Sequence, residues 1–172
     1  ILAVIHFLAD FLNDERRAQN WLADLVSDRA RLLDQQGRNI FQNRFAPLMS
    51  WKGREAELYA DILQRLFNAP SRQRLKLVNL KNSKGELALH VGEADPFGLI
   101  NIGDDAGFFN TAKEHTRFDS EADDFGTTLF SNINHAKSPL NILIGSRKFT
   151  EGWSSWRVST MGLLNMGQGE GT

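Results

Sequence analysis

The hydrophobic pattern of this chain changes its period at Pro70. Before Pro70, apolar residues recur at helical spacing with charged residues between them. The two runs are Trp21, Leu22, Leu25, Val26, Leu32 and Leu33, and then Leu58, Ile62, Leu66 and Phe67. After Pro70, the stretch "RLKLVNLK" alternates with a period of two, which is typical of a strand. The sequence therefore predicts a helical first part and a second part that contains strands, with proline ending the last helix.

The distribution of glycine supports the same division. Of the 14 glycines, only Gly37 and Gly53 precede residue 80, and the others follow from Gly85 onwards. Glycine allows the tight turns that join short strands. The turn sequence "NSKG" lies between "RLKLVNLK" and "ELALHV". These two segments are therefore predicted to form a hairpin.

The order of segments after the hairpin predicts an α/β fold with a mostly parallel sheet. "LINIG", "LNILIGS" and "VSTMGLLNM" read as strands, while "DDAGFFNTAKEH" and "DFGTTLFSNIN" read as helices. Asp104 and Asp105 favour a helix start through capping, and this reading is preferred to a magnesium-binding motif. We expect Asn141 to Gly145 to form a central strand parallel to "LINIG". Residues 146–155 then lie at its carboxyl end.

Composition excludes several classes of site. The 172 residues suit one domain, or one domain with an insert. No cysteine is present, which excludes disulfides and thiolate metal sites. His6, His90, His115 and His135 are too scattered for a metal motif, so no metal ligand is assigned. The formal net charge of −1 gives no overall attraction for nucleic acid, although a local basic cluster needs none.

The apolar start "ILAVIHFLADFL" is too short to span a bilayer, and His6 and Asp10 interrupt it. It also lacks the basic start and cleavage site of a signal peptide. We interpret it as an internal segment, which makes the chain a fragment at both ends. A cytoplasmic location and no membrane partner are expected.

The stretch "SRKFTEGWSS" carries the strongest indication of chemistry. In α/β sheets, ligands bind beyond the carboxyl ends of the strands. Ser146 and Thr150 offer hydroxyl groups there, Arg147 and Lys148 offer positive charge, and Gly152 allows close backbone approach. Such groups bind a nucleic-acid phosphate backbone without reading its sequence.

Each of the candidate binding features also has a purely structural interpretation. The stretch could be a polar loop that merely leaves the sheet, with Trp153 and Trp156 as core anchors. The basic positions in "SRQRLKLVNLK" could touch phosphate, but Lys and Arg are common on solvated strand edges. Trp51 and Tyr59 are read as packing residues and not as platforms for base stacking.

"LIGSRKFTEGWSSWRVSTMGLLNMG" resembles motif V of superfamily-two DEAD/DEAH-type helicases, in the form found in the Res subunit of type III restriction enzymes. "GELALHVGEADPFGLINIGD" and "LFSNIN" also resemble the region that precedes motif V in that family. The resemblance covers Leu75 to Thr172. It implies that residues 73–172 are a second RecA-like lobe truncated at its C-terminal end. It also implies that residues 1–72 are a helical segment joining the two motor lobes.

The resemblance also implies roles for single residues. Ser146 takes the strand-end position whose hydroxyl contacts a nucleic-acid phosphate. Glu151 and Gly152 take the pair that follows in the nucleotide-coupling part of motif V. The family places an acidic residue two positions after that glycine, where it helps to hold the nucleotide ribose or to couple it to nucleic acid, and Ser154 stands there instead. Val158 to Asn165 would form the next strand of the lobe.

The function implied is that of an ATP-dependent DNA translocase or helicase of a type III restriction-modification enzyme. The parent protein would be a hydrolase that uses ATP and Mg²⁺. Its partners would be DNA, a first RecA-like lobe, a nuclease domain and a modification methyltransferase subunit. This chain has no G-x-x-x-x-G-K-[ST] loop, and the arginine-rich motif VI is expected beyond Thr172. Alone it is expected to be inactive, with no assigned catalytic residue and no tightly bound cofactor. The alternative is a non-enzymatic α/β module that binds a phosphorylated ligand or a partner protein.

Overall fold

The computed structural model describes residues 1–29, 33–40, 45–145 and 155–162. Within them, the α-helices are α1 (Leu2–Asn13), α2 (Glu15–Val26), α3 (Glu55–Arg65) and α4 (Asp105–Ala112). The strands are β1 (Leu75–Leu80), β2 (Glu86–Val91), β3 (Gly98–Asn101), β4 (Asp119–Asp123) and β5 (Ile142–Gly145). Two short 3-10 helices span Ala46–Trp51 and Phe130–Asn132.

The described strands form one mixed sheet in the order β4-β1-β2-β3-β5. Strand β2 is antiparallel to both of its neighbours, while β4 is parallel to β1 and β5 is parallel to β3. Four strands therefore point in one direction and only β2 opposes them. The predicted α/β class is confirmed, but the sheet is mixed and not mostly parallel, because two of the four described pairings are antiparallel and both involve β2.

The predicted hairpin is confirmed and occupies the centre of the sheet. Leu77 pairs with Leu89 in its register. Gly85, in the connecting turn, has a φ of +88°, and a Cβ there would lie 2.6 Å from the carbonyl oxygen of Ile102. Only glycine combines this backbone angle with such a close approach. The turn thereby sets the pairing of the two central strands.

The last described strand is parallel to β3 as predicted, with Asn101 opposite Gly145. It is not central, because β5 lies at the edge of the described sheet. The strand predicted from Val158 to Asn165 is also absent over residues 158–162, while residues 163–165 lie outside the described part. Val158 and Met161 are exposed there, so their apolar pattern does not reflect burial in a sheet.

Two further segment predictions were wrong. The helix predicted for "DFGTTLFSNIN" is reduced to the 3-10 turn Phe130–Asn132. Its first amides bond to side chains instead: Asp123 accepts from the N–H groups of Phe125 and Gly126 at 2.8 and 3.0 Å. The apolar residues from Trp21 to Leu33 recur at helical spacing, but α2 ends at Val26. A φ of +56° at Asp28 turns the chain away from the helical path.

Strand β4 has a sequence, "DSEAD", that predicts no strand at all. It pairs with β1 over five residues, from Lys76 opposite Asp119 to Leu80 opposite Asp123. Its side chains are mostly exposed, so no apolar alternation marks it in the sequence. Backbone pairing at the sheet edge, and not burial of its side chains, makes this segment a strand.

The helices and one face of the sheet share a single hydrophobic core. Leu75, Leu77 and Leu89 point from the sheet into this core and are fully buried. Leu12 of α1 and Phe67 after α3 meet them from the helical side, also essentially without exposure. The segment predicted as residues 1–72 is thus packed on the sheet. That residues 1–72 and residues 73–172 are two separate units stays a prediction.

The opposite face of the sheet is covered only in part. Leu99 of β3 packs there against Ile133 and Leu140 of the segment before β5. Val78 and Ala88 form a smaller cluster with Leu129 beside it. The remainder of this face, next to β4, borders an open groove. No helix in the described ranges is both long and apolar enough to cross a lipid bilayer.

Asn79 is a buried polar residue whose effect on stability can be tested. Its side chain is 1% exposed, and neither its Nδ2 nor its Oδ1 has a hydrogen-bond partner among the described residues. We expect Asn79→Val to raise the free energy of unfolding by about 1–2 kcal/mol, because a buried unsatisfied amide is lost. Chemical denaturation measures the change.

Asn141→Val is the matched control. Its amide donates to the carbonyl oxygens of Arg65 and Leu66, both at 3.0 Å, and to Oδ1 of Asn68 at 3.2 Å. The same substitution at this satisfied site should lower stability by about 1–2 kcal/mol. If both variants lose stability, Asn79 has a polar partner within the folded protein.

Candidate nucleic-acid interface

Four strands end at the same edge of the sheet because they point in the same direction. Their last residues are Leu80 in β1, Asn101 in β3, Asp123 in β4 and Gly145 in β5. The turn of the central hairpin lies at this edge too. The stretch "SRKFTEGWS" follows Gly145 directly in the sequence. The structure thus places Gly145, the residue before that stretch, at the sheet edge where α/β proteins bind their ligands.

The residues predicted to bind there lie outside the described part of the chain. They are Ser146, Arg147, Lys148, Thr150, Glu151, Gly152 and Ser154. Their assignment to nucleic-acid binding and nucleotide coupling stays a prediction from the sequence. What the structure adds is the placement of the residues on either side of them.

Arg157, which the sequence reasoning missed, anchors the chain just beyond this stretch. Its guanidinium donates to the carbonyl oxygen of Ile133 at 2.6 Å, of Leu140 at 3.1 Å and of Ser138 at 3.2 Å. The planar fork of arginine suits several acceptors at once. Because the acceptors are backbone atoms distant in sequence, no charge pattern marked this role. The stretch 146–154 is therefore preceded by Gly145, which is paired in the sheet, and followed closely by Arg157, which is held by hydrogen bonds.

The start of α4 lies a few residues beyond the end of β3. Asp104 accepts a hydrogen bond from the N–H of Gly107 at 2.9 Å, as an N-cap does. This confirms the capping interpretation of the Asp104–Asp105 pair. The carboxylate occupies the helix N-terminus and supplies the negative charge that this end favours.

Basic residues at the start of β1 are engaged within the protein. Arg72 donates to the carbonyl oxygen of Asn13 at 2.8 Å. Arg74 donates to Asp119 at 2.9 Å and to the carbonyl oxygen of Thr116 at 2.8 Å. These side chains connect β1 to α1 and to β4. They lie at the edge opposite the carboxyl ends, which separates them from the predicted phosphate contacts.

Of the aromatic side chains that the sequence singled out and the structure describes, two pack inside the protein and one is exposed. Tyr59 is 2% exposed and donates to the carbonyl oxygen of Phe11 at 3.3 Å. Trp51 packs against the core with the guanidinium of Arg54 over its ring. Both were predicted as packing residues, which is confirmed. Trp156 is fully exposed and is therefore not a core anchor, while Trp153, the other anchor of the structural-loop alternative, lies outside the described residues.

Two of the scattered histidines come together. The rings of His6 on α1 and His115 after α4 lie edge to face, with centroids 4.7 Å apart. Burial is the main cause that lowers the pKa of His6, followed by the charges of His115 and Arg117, while Asp10 opposes them. No cluster of three or more potential metal ligands occurs in the described residues.

The chain matches no protein-family model, no curated protein and no solved structure.

Arg157→Ala tests the anchor. The loss of three charge-assisted hydrogen bonds to carbonyl groups should lower the free energy of unfolding by about 1–2 kcal/mol. Amide exchange should accelerate in residues 133–140 more than in β1. Arg157→Lys, which keeps the charge without the planar fork, should recover only part of the stability. Unchanged exchange in residues 133–140 would show that Arg157 does not hold this segment.

The histidine pair generates a pH-dependent stability. Since the pKa of His6 is lowered below its ordinary value of 6.5, the unfolded chain binds a proton more readily than the folded chain. This contribution to stability is therefore fully present at a pH above that value and is lost as the pH falls below it, through the lower pKa of the folded state. His6→Gln should flatten this part of a plot of melting temperature against pH. His135→Gln, at an exposed position, is the control and should keep the slope.

Proposed function

We propose that this chain is part of an ATP-dependent DNA translocase or helicase, and that residues 146–154 contact the DNA backbone. One observation supports this above all: β5 is parallel to β3 and delivers Gly145 to the carboxyl edge of the sheet. A phosphate-binding sequence at that edge lies where α/β folds place their ligands. On this proposal the sheet belongs to a second RecA-like lobe.

The described part of the same edge carries further positive charge. Lys81 and Lys84 are exposed in the turn between β1 and β2, at the end of the sheet where β3 and β5 terminate. The sequence adds Arg147 and Lys148 directly after β5. Lysine and arginine at a strand edge neutralise phosphates and release counterions, which supplies most of the affinity of nonspecific DNA binding. This distribution is compatible with DNA binding although the whole chain is nearly neutral.

ATP and Mg²⁺ enter the proposal through the complete protein. The phosphate-binding loop would come from the first lobe, and Glu151, Gly152 and Ser154 would couple the nucleotide state to the grip on DNA. Closure of two lobes around ATP is a hinge motion, and it would change the position of residues 146–154 relative to the DNA. A nuclease domain and a methyltransferase subunit belong to the same proposal. Each follows from the family resemblance alone.

Three variants test the DNA contact. Lys148→Ala should weaken binding about equally for different DNA sequences and lower the salt slope by about one unit, because one phosphate contact is lost. Ser146→Ala should cost about 0.5–1.5 kcal/mol of binding free energy. Gly152→Val should cost more, since a side chain blocks backbone approach. The measurement is a duplex DNA titration at two salt concentrations.

Lys52→Ala is the matched control, because Lys52 is exposed on the helical side of the molecule. It should leave both the affinity and the salt slope unchanged, and melting curves check that every variant folds. If all three test variants bind DNA like the parent, the proposed contact is wrong. If inorganic phosphate competes as well as DNA, the alternative of a module for a phosphorylated ligand is favoured.

A further inference from the structure

An open groove lies on the less covered face of the sheet, beside β4. Its volume is about 320 Å³. The floor is apolar and consists of Val78, Leu80 and Ala88, which are at most 5% exposed. Lys76 and His90 lie at one end of this floor. The groove is large enough to hold one or two side chains of a bound segment.

The rim of the groove is acidic. Glu93, Asp95, Glu121 and Asp123 line it, against a single ammonium group, that of Lys76. Lys76 bonds to Glu93 and lies 3.6 Å from Glu121. The hydrogen bond that the Lys76 ammonium donates to the Glu93 carboxylate lowers the pKa of Glu93 and raises the pKa of Lys76, so both stay charged at neutral pH. More than half of the Glu121 side chain is exposed, which leaves its carboxylate accessible.

Strand β4 forms the outer wall and is the last strand of the described sheet on this side. The carbonyl oxygen of Asp123 accepts from the N–H of Lys81 at 3.0 Å, so the backbone of Asp123 faces β1. Because backbone direction alternates along a strand, Ser120 and Ala122 direct their N–H and C=O groups outwards. An outward row of this kind is a template for pairing with another strand.

The acidic groups of β4 have different roles. Asp119 is bonded to Arg74, and Asp123 accepts from the amides of Phe125 and Gly126. Glu121 lies between them on the groove side, and its carboxylate is 3.6 Å from the ammonium of Lys76. A strand added beyond β4 would run about 4.8 Å away, so its groove-facing side chains would lie opposite Glu121.

We propose that the outer edge of β4 and the adjoining groove bind an extended basic segment of a partner protein, which adds to the sheet as a further strand. Its backbone pairs with Ser120 and Ala122, and its lysine or arginine side chains lie over Glu121 and the acidic rim. Backbone pairing supplies affinity in this mode and the side chains supply specificity. DNA is disfavoured at this edge, because its phosphates would face the carboxylates. The inference does not depend on the proposed DNA contact.

The probe is a labelled eight-residue peptide of alternating lysine and threonine, titrated against the whole chain and followed by fluorescence anisotropy. It should bind at about 0.05 M salt and weaken at about 0.5 M salt, because the rim charges are screened. A peptide of alternating glutamate and threonine should not bind. A basic peptide with methyl groups on alternate backbone nitrogens has the same charge and should also fail, since it cannot pair as a strand.

Two variants of the chain complete the test. Glu121→Gln should weaken binding of the basic peptide by about threefold, the effect expected for one exposed charge pair. Ala122→Pro should weaken it by about tenfold, because it removes an outward N–H at an edge position where proline is tolerated. Glu114→Gln, at an exposed site away from the groove, should change nothing. Melting temperatures check folding.

Several results would overturn the proposal. One is equal binding of the basic and acidic peptides, or no binding of the basic peptide at low salt. Another is equal binding of the methylated and unmethylated basic peptides, which would show that the peptide binds through charge attraction and does not pair with β4 as a strand. The third is unchanged affinity in both Glu121→Gln and Ala122→Pro. DNA binding is measured separately through Lys148→Ala, so failure here leaves the proposed function untouched.

Discussion

The pairing of β1 with β2 is the constraint on which the rest of the structure depends. These two central strands are buried on both sides over most of their length, so their backbone groups must be satisfied by each other and by the neighbouring strands. Gly85 fixes the turn between them through its positive φ and its close approach to Ile102. In the described sheet, β4 adds beside β1 and β3 adds beside β2. Because β5 is parallel to β3, it ends at the carboxyl edge, where the candidate interface begins.

Polar side chains that bind backbone groups hold the less covered face together. Glu86, which is 5% exposed, accepts from the hydroxyl of Thr128 at 2.6 Å and from the N–H of Leu129 at 2.8 Å. Arg157 donates to three carbonyl groups in the segment that precedes β5. These two side chains each bind several backbone groups of the segment before β5, and in this way they hold that segment over part of the sheet. The part that they leave uncovered is the acidic groove beside β4.

How much could be predicted depended on whether burial left a periodic pattern in the sequence. Helix α3 and strands β1 and β2 bury one face or both, and their apolar spacing predicted them. The cap at Asp104 was also predictable, because it is formed within one turn of the helix. Strand β4 was missed because its side chains are exposed and only its backbone is paired. Arg157 was missed because its acceptors are carbonyl groups, which every residue has.

The sequence by itself determined the α/β class, the central hairpin, the shift from helices to strands near Pro70 and the basic stretch that follows β5. These features depend on local spacing, on turn chemistry and on residue type, all of which act over a few positions. Only the tertiary structure decided that β4 and β5 lie at the two edges of the described sheet, that His6 meets His115, and that an acidic groove lies beside β4. Each of these depends on contacts between residues far apart in the chain, and local preferences carry no information about which distant segments will meet.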